Sequence, residues 1–298
     1  MHKVLIHCFS ISFFTQPYFI SQYKLIRAFR FLVNSNLWMA LAGWSGTYMT
    51  YFLANIPVNP YIPLLVAIST LADYNIPPIH QLGIQRTLKL AGIRNLPQIK
   101  VLFFLLSISL SAFLLIHLNL IQIVLFLHLG AISVWYALPI KLFGKSLPPL
   151  RMINFLKIFL IVYVWVGSIY FLPLLGEIEI GQKEIIGGIE RALFFFGITL
   201  PFDIRDFYID QEVSLKTIPH KTGFKRAKVL AINSLIGGLA LVYFSYNPPL
   251  QLGFILSYLL TTGIVLGANL NRNGLYFTGL IDGTIIFQAL IIFVVIQI

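Results

Sequence analysis

The sequence is poor in charge: Asp, Glu, Lys and Arg make up only 10% of its 298 residues, against roughly 25% in an ordinary soluble domain. With 58% hydrophobic residues, a water-soluble fold could not cover its apolar surface. Cysteine is nearly absent as well. The single Cys8 excludes an intrachain disulfide framework and any CxxC site for zinc or redox chemistry. Acidic residues number ten against 21 Lys and Arg, a formal net charge of +11. Those cations do not form the stripe expected of a nucleic-acid surface, so no nucleic-acid partner is expected. They lie in short segments between long apolar runs, where they read as topology signals and anion ligands.

Apolar windows run over 36–55, 61–79, 99–117, 119–139, 154–175, 185–202, 227–245, 250–269 and 276–297. Each is near the about 17 to 25 residues that a membrane helix needs. Asn55-Ile56-Pro57, Pro77-Pro78, Pro148-Pro149 and Asn247-Pro248-Pro249 stand where spans must end. The expected fold is all-α: a polytopic membrane protein of about nine transmembrane helices. Residues 36–298 form that domain, behind an N-terminal cytoplasmic or interfacial segment, 1–35. Lys3 followed by the apolar stretch from Val4 to Phe14 resembles the start of a secretory signal. No small-residue cleavage site follows, and the stretch is read as an interfacial lead-in.

Sorting the loops by parity gives the sidedness. Before span 1 stand Lys3, Lys24, Arg27 and Arg30, and the 2/3 loop carries Arg86, Lys89, Arg94 and Lys100. The same side collects Lys141, Lys145 and Arg151, then a 6/7 loop with Arg205, Lys216, Lys221, Lys225, Arg226 and Lys228, then Arg272. The opposite loops offer Lys183 beside Glu177, Glu179 and Glu184. The positive-inside rule therefore puts the N-terminus and the 2/3, 4/5, 6/7 and 8/9 loops in the cytoplasm, with the cell (inner) membrane as the expected location.

The chemistry gathers at the end of span 6, which reads Leu200-Pro-Phe-Asp203-Ile-Arg-Asp206-Phe-Tyr-Ile-Asp210. Offsets of three and seven residues on a helix fall within about 60° of one another, so Asp203, Asp206 and Asp210 share a face. Three carboxylates on one face repel. A hard divalent cation such as Mg²⁺, bridging substrate phosphates, makes the arrangement favourable. The alternative is a solvated helix end that complements Arg205, Lys216 and Lys221. Three of only ten acidic residues at a membrane-embedded helix end favour function. Asp73 in span 2 and Asp282 in span 9 are intramembrane carboxylates, each a site residue or a structural hydrogen-bond partner. His128 reads as a helix-packing hydrogen bonder. Glu190 and Arg191 read as an external-side pair or a snorkelling pair.

The stretch DIRDFYID followed by SLKTIPHKTG resembles the second aspartate-rich motif of the UbiA superfamily of intramembrane prenyltransferases, DxxDxxxDxxxGxxTLPxxxG. Asp203, Asp206, Asp210, Thr217, Pro219 and Gly223 match, and Ser214 replaces the usual glycine. The 4/5 segment, with Tyr136, Pro139 and Lys141, is similar to the family's Tyr-x-x-Pro and basic stretch. The first motif, NDxxDxxxD, is degenerate. With Asn75 as anchor, Ile76, Ile79 and Gly83 stand in place of its aspartates, and Asp73 lies two residues earlier.

The resemblance implies a UbiA-like bundle and a transferase. Mg²⁺ held by Asp203, Asp206 and Asp210 binds a prenyl diphosphate, and the prenyl group passes to a lipophilic acceptor such as an aromatic ring or quinone precursor. Lys141, Arg86, Lys89 and Lys221 are the implied diphosphate ligands, with Asn75, Asp73, Tyr136, Thr217 and Asp282 in support. Two alternatives stand beside it: a non-catalytic relative that binds an isoprenoid or serves assembly, and a transporter.

Overall fold

The computed structural model describes residues 26–80, 96–142 and 144–297. The cations Lys3, Lys24, Arg86, Lys89 and Arg94, with Cys8, lie outside them. Among the described residues the chain is helical apart from one small hairpin, Ile140–Leu142 paired antiparallel with Lys145–Leu147. Its turn carries Gly144 at φ 75°, a left-handed conformation that glycine adopts without strain. Periodicity gave no sign of this hairpin within the 4/5 loop.

The helices are α1 (26–34), α2 (Leu37–Ala54), α3 (Tyr61–His80), α4 (Leu96–Leu114) and α5 (Leu120–Ala137). Then come α6 (Leu156–Leu174), α7 (Gln182–Arg205) and the short α8 (Phe207–Glu212) and α9 (Ile218–Thr222). The last three are α10 (Phe224–Ser245), α11 (Pro248–Leu266) and α12 (Tyr276–Gln297). Local chemistry fixes their starts. Asn119 caps α5, its Oδ1 accepting from Gln122 N at 2.9 Å while Gln122 Oε1 accepts from Asn119 N at 3.1 Å. Asn247 caps α11, where Pro248 occupies the first turn at no hydrogen-bond cost.

Each window expected to span holds a helix. Seven of them, α4 to α7 and α10 to α12, are long and apolar enough to cross a membrane, and the protein is an integral membrane protein. Of the other two, α3 contributes a shorter apolar stretch, Tyr61–Ile76. The helix α2 is rich in Gly, Ser, Thr and Tyr and packs between α3, α6 and α12.

The windows of α7 and α12 are 61% and 56% buried, against 17% for α4 and α5. The first pair forms the centre of the bundle and the second its lipid-facing flank. Small residues let the central helices close up. At Gly197 of α7 a Cβ would lie 3.0 Å from Ala231 O and 2.7 Å from Leu235 Cγ of α10.

Glu190 and Arg191 do not snorkel. Both are fully buried in α7, with Arg191 Nε 2.5 Å and Nη2 2.6 Å from the Glu190 carboxylate. Arg191 Nη1 donates to Gln288 Oε1 of α12 at 2.6 Å, and Tyr258 of α11 donates its hydroxyl to Glu190. The pair is a polar pin through three helices, satisfied on every side.

Candidate functional site

A cavity of about 350 Å³ opens between α3, α5, α6, α7 and α12. Helical periodicity builds its walls. From α6 come Lys157, Leu160, Ile161, Val164, Trp165 and Ser168, spaced by three and four residues along one face. From α7 come Phe195, Ile198, Thr199, Phe202, Asp203 and Asp206, again one face. The apolar members line the depth, and the charged ones gather at the end that carries the 4/5 and 6/7 loops. Asp73 and Tyr74 of α3, Tyr136 of α5 and Asp282 of α12 complete the lining.

Two of these helices distort beside the cavity. A π-turn spans Gly167–Phe171 in α6 and another spans Tyr276–Ile281 in α12. Such wide turns shift the register of the following helix and re-aim side chains, and they are frequent at functional sites. Here the first contains Ser168 and the second ends immediately before Asp282.

The carboxylates converge, though not on one unbroken helix. The helix α7 ends at Asp206, whose backbone (φ −86°, ψ 3°) both closes α7 and opens α8, so Asp210 belongs to the next short helix. Asp210 N still donates to Asp206 O at 2.8 Å, which preserves the one-turn spacing. All three carboxylates meet at Lys157: its Nζ is 3.2 Å from Asp203 Oδ1, 3.7 Å from Asp206 Oδ2 and 3.4 Å from Asp210 Oδ2. Asp203 is 2% exposed, and its Oδ1 has no aligned hydrogen-bond partner despite that ion pair. Arg205 grips Asp206 with a fork, Nε to Oδ1 at 2.6 Å and Nη2 to Oδ2 at 3.0 Å. Its guanidinium lies over the Phe202 and Phe277 rings at 4.8 and 5.5 Å.

The remaining sequence-predicted residues divide. Asp73, Tyr136 and Asp282 line the same cavity as Asp203 and Asp206. Asn75 does not. It is fully buried, its Nδ2 donates to Leu71 O at 2.8 Å, and its Oδ1 accepts from Asn36 at 2.9 Å, so it ties α3 to the start of α2. Thr217 is buried away from the cavity as the cap of α9, with Oγ1 2.8 Å from His220 Nδ1. Lys141 in the hairpin and Lys221 in α9 are exposed, and neither lines the cavity. Arg86 and Lys89 lie outside the described residues.

Lys157 was missed by sequence reasoning, although it is the only charged residue within the 154–175 window. His128 meets its expectation, with Nε2 3.0 Å from the Tyr163 hydroxyl.

Comparison with solved structures settles the architecture. A UbiA homologue from Archaeoglobus fulgidus, bound to GPP and Mg²⁺, superposes with a TM-score of 0.63 at 15% identity, covering 90% of this chain and all of that one. The chain has the UbiA fold. An apo UbiA homologue from Aeropyrum pernix K1 gives 0.61 at 16% identity over 86% of this chain and 97% of the other. A digeranylgeranylglyceryl phosphate synthase gives 0.58 at 15% identity over 91% and 99%. No protein-family model matches the chain, and no curated protein does. The UbiA fold thus persists here at an identity that shows architecture alone.

The donor chemistry at Asp203, Asp206 and Asp210, hard carboxylate oxygens with one of them lacking an aligned partner, fits Mg²⁺. Among the described residues, however, no three acidic, His or Cys side chains are drawn around a common metal position. They are drawn around the Lys157 ammonium.

Proposed function

We propose that this protein is an intramembrane prenyltransferase of the UbiA kind, transferring a prenyl group from a prenyl diphosphate to a lipophilic acceptor. The observation that carries the reading is the make-up of the cavity: a largely apolar lining within the UbiA fold, with Asp203, Asp206, Lys157 and Arg205 at its charged end and Asp210 joined to them through Lys157. The diphosphate sits at the charged end, at the membrane face assigned to the cytoplasm by the loop cations, and the isoprenoid chain runs between α6 and α7.

Asp203, Asp206 and Asp210 are the residues that would hold Mg²⁺, which when bound neutralises the diphosphate and helps pyrophosphate leave. The chain's own residues do the rest. Lys157 and Arg205 supply positive charge beside the departing oxygens. Trp165, Phe195 and Phe202 line the cavity and present π faces to an allylic cation, which forms as the C–O bond to the diphosphate breaks. The same side chains exclude water, which would otherwise quench that cation. Asp73 and Asp282, on α3 and α12, are the cavity carboxylates able to take the proton that the acceptor loses as its new C–C bond forms.

Purified protein in lipid nanodiscs, given a panel of prenyl diphosphates and aromatic acceptors, should form prenylated product in a Mg²⁺-dependent way. Activity unchanged in Asp206→Ala and Asp210→Ala would overturn the assignment.

One observation favours a second reading, an isoprenoid-binding relative without turnover. At the degenerate first motif the Asn75 side chain is spent on Asn36 and Leu71, and Ile76 is buried, so that side of the site offers Asp73 alone as a carboxylate. Tight diphosphate binding with no pyrophosphate release supports that reading against the first.

A further inference from the structure

We infer that Lys157 is an exchangeable counter-ion: it holds the three carboxylates together in the ligand-free site, competes there with a divalent cation, and turns to the diphosphate once displaced. This rests on the transferase reading of the same site and assigns the lysine a part in it.

Three features of the cluster carry the inference. First, the contacts are long. The Lys157 ammonium stands 3.2 to 3.7 Å from its three carboxylates, whereas a strong charge-assisted N–H···O bond is about 2.7–2.9 Å. Asp203 Oδ1, buried within a protein that spans a membrane, keeps no aligned bond at all. One ammonium is shared three ways and satisfies none of its partners fully. Such a cluster is held by net Coulomb attraction, and that attraction any better-coordinated cation can replace.

Second, the two cations of the site differ in how firmly they are committed. Arg205 is tied by a two-pronged fork to Asp206 and stacked between Phe202 and Phe277. Lys157 has only its ammonium in place, on a flexible four-carbon stem rooted in the first turn of α6. Rotation about that stem moves the charge by several ångströms, roughly the width of a phosphate group, without moving the helix. Of the two, Lys157 is the one free to leave.

Third, charge balance requires an exchange. Asp203, Asp206 and Asp210 face Lys157 and Arg205, which leaves the cluster one negative charge in excess. A diphosphate brought to these carboxylates is repelled while the lysine stays on them. With the carboxylates transferred to a metal ion, the freed ammonium has no carboxylate left to neutralise, and it borders the same cavity as the incoming anion. The lysine therefore opposes metal binding and assists diphosphate binding, and these two effects have opposite signs.

The test uses the whole protein in nanodiscs, with Mn²⁺ as the metal probe followed by electron paramagnetic resonance and inorganic pyrophosphate as the anion probe. Lys157→Met should bind Mn²⁺ at least about tenfold more tightly than the wild type. At saturating Mn²⁺ it should bind pyrophosphate at least about tenfold more weakly. Should the methionine variant fail to fold, Lys157→Arg keeps the charge and adds a carboxylate-matching fork, and it should bind Mn²⁺ more weakly than the wild type. Mn²⁺ affinity unchanged or reduced in Lys157→Met, or raised in Lys157→Arg, overturns the inference while leaving any measured prenyl transfer standing. No Mn²⁺ binding by wild type or variant overturns the inference and the metal-dependent transferase reading together.

Discussion

Lys157 Nζ lies 3.2 Å from Asp203 Oδ1, joining the first turn of α6 to the last turn of α7 at the charged end of the cavity. Asp203 is the most buried carboxylate of the three, and the lysine is what neutralises it. Asp203→Asn removes the charge and keeps the shape. On the present account it lowers Mn²⁺ affinity at least about tenfold, read from the free Mn²⁺ signal, and leaves thermal unfolding within a few degrees of the wild type. An unchanged affinity would take Asp203 out of the ligand set.

Cavity depth is set along α6. Ser168 lies three helical turns beyond Lys157 on the same face, roughly 16 Å at 1.5 Å per residue. Ser168→Phe fills that far end. It should shift the accepted prenyl diphosphates toward shorter chains while activity with the shortest is retained, as measured by product formation across chain lengths. Uniform loss at every length would argue instead for a collapsed bundle.

The buried pin tests a different link, from packing to stability. Arg191→Met leaves the Glu190 carboxylate fully buried with Tyr258 as its remaining donor. Breaking a buried ion pair by removing one partner costs about 3–5 kcal/mol. Thermal unfolding in detergent should show a large drop in midpoint, and Glu190→Gln combined with Arg191→Met should recover part of it.

Helix separation at the centre of the bundle depends on Gly197. A side chain there meets the Ala231 carbonyl and Leu235 of α10, so Gly197→Val should cost about 1–3 kcal/mol by overpacking. The same unfolding assay reads it. Gly263→Ala on α11, where nothing lies within 4 Å of an added Cβ, is the control expected to change little.

Much of this architecture is legible in the sequence, because a membrane helix must be long, apolar and bounded by breakers such as Asn247-Pro248-Pro249; Pro77-Pro78, expected to end the second span, instead lie within α3, which runs on to His80. The cluster at Asp203, Asp206 and Asp210 is legible for a related reason: carboxylates are costly in such a chain and stand out. What escaped is the set of partners. Lys157 looks like an ordinary lysine at a helix start, and only the crossing of α6 over α7 makes it the meeting point of three aspartates. Lys141 and Lys221 looked equally apt for a diphosphate, yet the hairpin and α9 carry them to the surface. Asn75 matched a motif position, but its amide is spent on holding two helices together. Sequence spacing places residues along a helix; which side chain meets which depends on how the helices cross.

Diphosphate chemistry at the Asp203–Asp206–Asp210 cluster is read from pyrophosphate release. Nanodisc-embedded wild type supplied with geranyl diphosphate, a lipophilic aromatic acceptor and Mg²⁺ should release pyrophosphate in step with prenylated product. Asp206→Asn should reduce that release at least about a hundredfold. Release of equal rate in the variant, or none from the wild type across a panel of prenyl diphosphates and acceptors, would contradict the account.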